Sequence, residues 1–349
     1  MARATKSRAR AKTKKPAKAP ARSRASAKRR TAAKPRAGAK LRTASGQYLR
    51  SSAFAPTNPA VYYDLLAPVR PTRKPTIVML HGGAHTGMCY LVTADGRPGW
   101  APYFAAHGYP VVVPDWPGSG RSGAVPDNAL TAELVCHGLG ELIEHLAGPI
   151  VLMTHSMSGA YGWNLLGKHG HNIAAVVGIA PSPPGNIQPE PPVLSRGDDF
   201  VEVKGLAMTL RLPLSAPNFA SEKFVLDKLI GKSTRFPRDR IADYHVSLRA
   251  IAPRLLYQRQ NVDGSQIKVA NTASFKDKRI LIVTGEHDID HPREEDGRTA
   301  VWLTEQGAHV DYRYLSDEGI GGNGHMMMLE TNADQIAGLI VGWLAQKVG

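Results

Sequence analysis

Short apolar runs alternate with longer stretches in which apolar residues recur at helical spacing over most of this chain. "TIVMLHGG" (76–83) is β-branched and apolar and ends in glycines, which predicts a buried strand entering a loop. "GWAPYFAAHGY" (99–109) predicts a short helix stopped at Gly108, and "PVVVPDWPGSGRSG" (110–123) a strand running into a Gly/Pro loop. Across 128–148, Leu130, Leu134, Leu139, Leu142, Ile143 and Leu146 fall on one helical face. "PIVLMTH" is a third strand, "SGAYGWNLLGKHG" the helix after it, and "IAAVVGIAP" (173–181) a fourth strand. The rhythm breaks at a Pro-rich stretch, "PSPPGNIQPEPPV", followed by helix-like segments to about residue 275. It resumes with "RILIVTG" (279–285), a helix through "TAVWLTEQG", "HVDYRYL" (309–315) and a last helix over 332–348. Buried strands alternating with amphipathic helices predict an α/β fold with a mostly parallel sheet covered on both faces. The predicted division is a core in two parts, 46–184 and 276–349, interrupted by a mainly helical cap at 185–275. Such a cap would lie over the carboxyl ends of the strands, where open α/β sheets place their ligands.

Charge changes the picture at one end only. The chain carries a formal +15, but 18 of its 44 Lys and Arg lie in residues 1–50, where there is no Asp or Glu. Taking those 18 away leaves 26 basic residues against 29 acidic ones, a formal −3 for the rest. Residues 1–45 have almost no large apolar side chains, so they lack the surface that would offset their ordering entropy, and a disordered tail is expected. Two partners fit it: solvent alone, or nucleic acid or another acidic surface held weakly and salt-sensitively. The Arg-rich, acid-poor start also resembles a transit peptide. No apolar run reaches the ~20 residues of a membrane span. Two cysteines, Cys89 and Cys136, are too few for a disulfide framework. A cytoplasmic protein is expected, and a homodimer is a possible assembly.

Chemistry concentrates at "VLMTHSMSGAYGW" (151–163). Ser156 stands between a buried strand and a helix, the setting of a nucleophile elbow, in which a tight turn exposes the serine Oγ. The usual signature is G-x-S-x-G; here Thr154 and Ser158 occupy the glycine places. A serine needs a base, and the base needs an orienting acid. His325, the last histidine, follows the last strand in "GIGGNGHMMMLE" and fits the order Ser, acid, His. The loop "GEHDID" after the penultimate strand offers Glu286, Asp288 and Asp290; Asp288 is chosen, with Glu286 and Asp290 as alternatives. "LHGGAHTG" (80–87) offers Gly83 N–H as an oxyanion donor beside Met157 N–H. His81 and His85 are spaced i, i+4 without a third ligand, so no metal is expected, and no cofactor is required.

"LHGGAHTG", "TADGRPGWAPYFAAHGYPVVVPDWPGSGRSG", "THSMSG" and "GIGGNGHMMMLETNADQIA" together resemble the bacterial α/β-hydrolase esterases of the 713-like group, over about residues 60–349. The resemblance implies an α/β-hydrolase fold and a serine esterase. It assigns Ser156 as nucleophile, His325 as base, and Gly83 and Met157 as oxyanion donors. In that group the acid is a Glu in an "EP" pair after the strand that follows the elbow; the pair here is Ala180-Pro181. Either Asp288 has taken the role, or the triad is incomplete. Two other functions stay open beside ester hydrolysis: different chemistry on the same fold, such as a lyase or peroxidase-like reaction, and a vestigial hydrolase acting through its basic tail.

Overall fold

In a computed structural model of the chain, residues 41–42, 47–146, 148–206 and 208–348 are described. The tail expected over 1–45 therefore lies outside the described residues, apart from Leu41 and Arg42. The described residues form one compact unit.

Nine strands of the described residues make one sheet, in the order β1-β2-β3-β5-β4-β6-β7-β11-β12. They are β1 (Leu41–Arg42), β2 (Tyr48–Phe54), β3 (Tyr62–Pro68), β4 (Thr76–Leu80), β5 (Val111–Pro114), β6 (Ile150–His155), β7 (Ile173–Ile179), β11 (Arg279–Thr284) and β12 (His309–Tyr314). The strands from β5 through β12 run parallel, and β1 to β3 add an antiparallel edge. All the residues of β5 and β6 are buried. Each fully buried Val, Leu or Ile contributes about 1.5–3 kcal/mol relative to exposure, which is why these runs settle at the centre of the sheet.

The helices are α1 (Met88–Leu91), α2 (Trp100–Ala106), α3 (Ala132–His145), α4 (Ser158–His169), α5 (Glu222–Phe224), α6 (Ile241–Ser247), α7 (Pro253–Arg259), α8 (Arg293–Glu305) and α9 (Ala333–Lys347). One apolar cluster joins α2 and α9 to one face of the sheet, and a second joins α3 and α4 to the other. Helix α3 begins where Thr131 accepts a hydrogen bond from Leu134 N–H. That cap places its start four residues later than the apolar spacing alone suggested.

The insertion differs in part from expectation. Its first part is a three-stranded antiparallel sheet of β8 (Val193–Arg196), β9 (Phe200–Lys204) and β10 (Thr209–Pro213). In "FVEVK" and "TLRLP" apolar and polar residues alternate with period two, and Val201, Val203 and Leu212 turn inward onto Val262. Helical structure follows: α5 continues as a π-helical turn over Val225–Ile230, then come α6 and α7. The helical half reaches the loops at the carboxyl ends of the strands. Arg249 N–H donates to Ala84 O after β4, and Thr234 N–H to Gly322 O after β12. The strand order reverses around β4, since the chain moves to β5 on one side of it and then to β6 on the other. This is the switch point at which such sheets open a crevice.

Candidate active site

Strand β6 ends at His155, and the next residue turns sharply. Ser156 has φ 53°, a left-handed conformation that is strained for a side-chain-bearing residue. Three bonds hold it: Ser156 N–H to Ile179 O at 3.0 Å, and Gly159 and Ser182 N–H to Ser156 O at 2.8 and 2.9 Å. The turn is crowded where Gly159 passes Pro181 and Ser182. A β-carbon on Gly159 would lie 2.5 Å from Ser182 N, which no side chain permits. The usual glycine places tolerate larger residues for local reasons. Thr154 packs its methyl against the bare face of Gly162. Ser158 folds its hydroxyl back, donating toward Leu80 O and accepting from His155 N–H. Glycine is needed here at 159, not at 154 and 158.

The structure brings Ser156, His325 and Asp288 together. Ser156 Oγ lies 2.9 Å from His325 Nε2, and Asp288 Oδ2 lies 2.7 Å from His325 Nδ1. A carboxylate only accepts, so Nδ1 carries the proton and Nε2 presents its lone pair to the serine hydroxyl. Asp288 is fully buried at its side chain, and its other oxygen accepts from the N–H groups of Asp290 and His291. Burial works to raise the Asp288 carboxyl. The adjoining His325 ring and His291 outweigh it and hold the group below its ordinary value.

The other two acids of this loop point elsewhere. Glu286 accepts from Gly322 N–H at 2.6 Å, bracing the loop that carries His325. Asp290 pairs with Lys228 at 2.7 Å and stands 3.7 Å from Arg259; burial opposes its ionisation, but these cations hold it far below its usual range. Ala180 sits beside the elbow with φ 42° and no carboxylate to offer.

Glu330 is a carboxylate that the sequence reading passed over. It is buried and accepts from Ser233 Oγ, Asn323 Nδ2 and Gly324 N–H at 2.5, 2.5 and 2.8 Å. Burial, only partly offset by these donors, raises its affinity for a proton. It ties the insertion to the residue preceding His325. Its position five residues past His325, just ahead of the last helix, was the available signal.

On the other flank, the loop after β4 presses against the elbow. A β-carbon on Gly82 would meet His155 Nδ1 at 2.7 Å and Ser156 Cβ at 3.1 Å; one on Gly83 would meet Met157 Sδ at 3.0 Å. Gly83 and Met157 are therefore neighbours beside the elbow. Met157 precedes α4, so its N–H is among those without a partner inside the helix, at the positive end of the dipole. His81 and His85 turn apart. His81 Nδ1–H donates to Gly82 O while Nε2 accepts from Trp116 N–H. His85 Nδ1–H donates to Gly83 O at 2.7 Å, and its Nε2 accepts from Tyr244 OH at 2.9 Å. Burial brings His81 down to about 4 and His85 down to about 3, so both rings are neutral near pH 7. Among the described residues, no group of three His, Cys, Asp or Glu could hold a metal ion. Asp115 secures this loop from below: it accepts from Gly87 N–H and is gripped by Arg121, which also reaches Asp64.

Three cavities adjoin the site. One of about 300 Å³ runs between His85, Met88, Val92, Tyr244 and Leu329. A smaller one of about 40 Å³ lies between His85, Trp116, Ile251 and Leu255. The largest, about 450 Å³, lies beside β9 and β10 and is bounded by Pro183, Met208, Arg259 and His291; Ser156 lines none of the three. Of the apolar insertion residues, Leu255 is buried and lines the small cavity, whereas Phe219 is 75% exposed. Phe224 packs against the core, and Tyr257 hydrogen-bonds Asp263. Among the described residues, no helix is long and apolar enough to cross a membrane.

A family model described as "Alpha/beta hydrolase family" matches residues 77–339. The chain is 24% identical to a probable secreted lipase, phiG, from Fungal sp. (strain ATCC 74256), over 83% of this chain and 87% of that one. Among solved structures it is similar to a bacterial esterase at 19% identity and a TM-score of 0.55, over 90% of this chain and 100% of the other. It is also similar to an epoxide hydrolase from Vigna radiata at 15% identity and a TM-score of 0.57, over 87% and 100% of the two chains. At these identities the solved structures speak to the fold alone.

Proposed function

This chain belongs to the alpha/beta hydrolase family, and from that premise we propose that it is a serine hydrolase cleaving carboxylic esters through an acyl-enzyme. The observation that carries the reading is the hydrogen-bonded line from Ser156 Oγ through His325 to Asp288, with the serine on a strained elbow. Within the family, the motifs around 93–123 and 319–337 favour a relative of the bacterial esterases of the 713-like group, with Asp288 serving where that group uses a glutamate. The similarity to a lipase supports ester chemistry.

In the proposed reaction the Ser156 Oγ–H proton passes to His325 Nε2 as Oγ bonds to the ester carbonyl carbon. The electron pair displaced onto the carbonyl oxygen is met by Gly83 N–H and Met157 N–H. As the intermediate collapses, the carbon–oxygen bond to the alcohol breaks, and His325 returns its proton to the leaving oxygen. Water then repeats the sequence on the acyl-serine, His325 taking its proton, and releases the acid. Asp288 holds the Nδ1–H tautomer and stabilises the imidazolium.

Epoxide hydrolysis is the second reading, because an epoxide hydrolase shares the fold. Opening an epoxide forms no tetrahedral carbonyl intermediate, so two backbone donors flanking a serine suit acyl transfer better. A fluorophosphonate probe tests the choice. It should label Ser156 stoichiometrically, and Ser156→Ala should lose label and about a million-fold in turnover of an activated ester while retaining the native melting temperature. An unlabelled Ser156, or full activity in the variant, would remove the serine from the mechanism.

A further inference from the structure

His291 takes part in no step above, yet it lies against the base. Its ring stacks on the His325 ring with centroids 5.3 Å apart and planes 20° from parallel. Its Nδ1 is 2.9 Å from Asp296 Oδ1, and the other oxygen of Asp296 accepts from Thr284 Oγ1 at 2.5 Å. Both members of this pair are buried, His291 at 2% exposure and Asp296 at 1%. The backbone N–H of His291 also donates to Asp288 Oδ1, on the carboxylate that orients His325. Two His–Asp pairs thus lie face to face. The His325 ring also lies against His155, centroids 4.8 Å apart, whose Nε2–H donates to His325 O.

We infer that the His291–Asp296 pair is a positioning element for His325, a charged imidazole stacked on the base that sets the pH at which the base takes its proton. The inference rests on the ester-hydrolase reading for its meaning, but it can fail separately.

The charges around His291 come from every side. Asp296 faces it from α8, and Asp288 and Asp290 from its own loop. His325 lies on one face, and His155, at the end of β6, lies against His325. Lys228 and Arg259 from the insertion neutralise Asp290. Burial disfavours a charged His291, but Asp296, Asp288 and Asp290 outweigh burial and hold the ring above its ordinary value. His155 is pushed well below its ordinary value, chiefly by burial, and is neutral. His291 Nε2 is buried without a protein hydrogen-bond partner among the described residues. A positive ring at stacking distance opposes a second imidazolium.

Ring-nitrogen NMR titration of His325 in the full-length protein tests this. In His291→Gln, an amide can still donate to Asp296 while the positive charge is gone. The His325 midpoint should rise by about one pH unit. Asp296→Asn should also raise it, by less, because His291 then loses the carboxylate that keeps it charged. The acid limb of Ser156 labelling by fluorophosphonate should move to higher pH by the same amounts. An unchanged midpoint in His291→Gln, or a fall in Asp296→Asn, would show that His291 is a neutral packing ring. If His291→Gln does not fold, the wild-type protein still decides: a His291 midpoint below its ordinary 6.5 overturns the inference. Failure of Ser156 to label at all would count against the ester-hydrolase reading, while the NMR midpoints continue to report on His291.

Discussion

Asp288, Asp290, Asp296 and Glu330 crowd the His325 flank of Ser156, whereas the glycine-loop flank is lined by His81, His85 and His155. The first flank is charged. Asp290 is matched by Lys228 and Arg259, Asp296 by His291, and Asp288 by the base itself. The second is kept neutral where it meets the serine, because burial drives its imidazoles to the uncharged state. Asp115, which secures its loop, is gripped by Arg121. The proposed chemistry asks for this division. A base must gain and lose a proton near pH 7, so its surroundings must respond to charge. An oxyanion site must hold fixed donors at a fixed distance, and a titrating neighbour would disturb it. The charged flank should therefore govern pH dependence, and the neutral flank should govern geometry.

The largest break in that division is expected at Asp288. Asp288→Asn should lower turnover about 10⁴-fold, since an amide permits the wrong tautomer of His325. Steady-state kinetics on an activated ester would measure it. Glu286→Gln and Asp290→Asn should cost far less, because their carboxylates meet Gly322 and Lys228 rather than the base. An equal loss in all three would mean that the loop acts as a charged whole.

Much of this division was legible before any coordinates. Ser156, His325 and Asp288 were readable because strand, turn and chain order restrict where a serine, an acid and a histidine can meet. The apolar runs of β4 to β7 and β11 were readable because strands buried on both faces have nothing else to be. Strands β2 and β3, at the antiparallel end of the sheet, escaped because they are only partly buried and mix polar with apolar residues. The cap sheet escaped because its alternation is short and follows a Pro-rich run. The distant partners of His85 and Glu330 could not be read at all: Tyr244 lies 159 residues from His85, and Ser233 lies 97 from Glu330. Contacts over such separations belong to tertiary packing and leave no local pattern.

On the neutral flank the expected effects are smaller and do not depend on pH. Gly82→Ala would place a methyl 2.7 Å from His155 Nδ1 and 3.1 Å from Ser156 Cβ, so the loop must move off the elbow. Displacing an oxyanion donor costs about 10²-fold or more in turnover. The pH–rate profile should keep its shape, with only its height reduced. A shifted acid limb in this variant would show that the glycine loop also controls the base, and the two flanks would no longer be separable.

The mildest prediction concerns the strut that the insertion supplies. Tyr244 donates to His85 Nε2, and His85 Nδ1–H in turn donates to Gly83 O, so a cap residue fixes the peptide that follows the proposed donor. Tyr244→Phe keeps the ring but leaves a buried imidazole nitrogen unpaired. The loss of one such bond, with its partner left buried, corresponds to about tenfold. That loss should appear in turnover with KM nearly unchanged if His85 serves the transition state. It should appear in KM instead if Tyr244 merely walls the cavity between Met88 and Leu329. Tyr244 titrates far above neutrality because it is buried, so neither variant nor wild type should gain a new limb below pH 9. A turnover loss without any pH shift would place the cap's grip on the geometric flank alone. A shift would mean that the neutral imidazoles are electrostatically coupled to His325 after all.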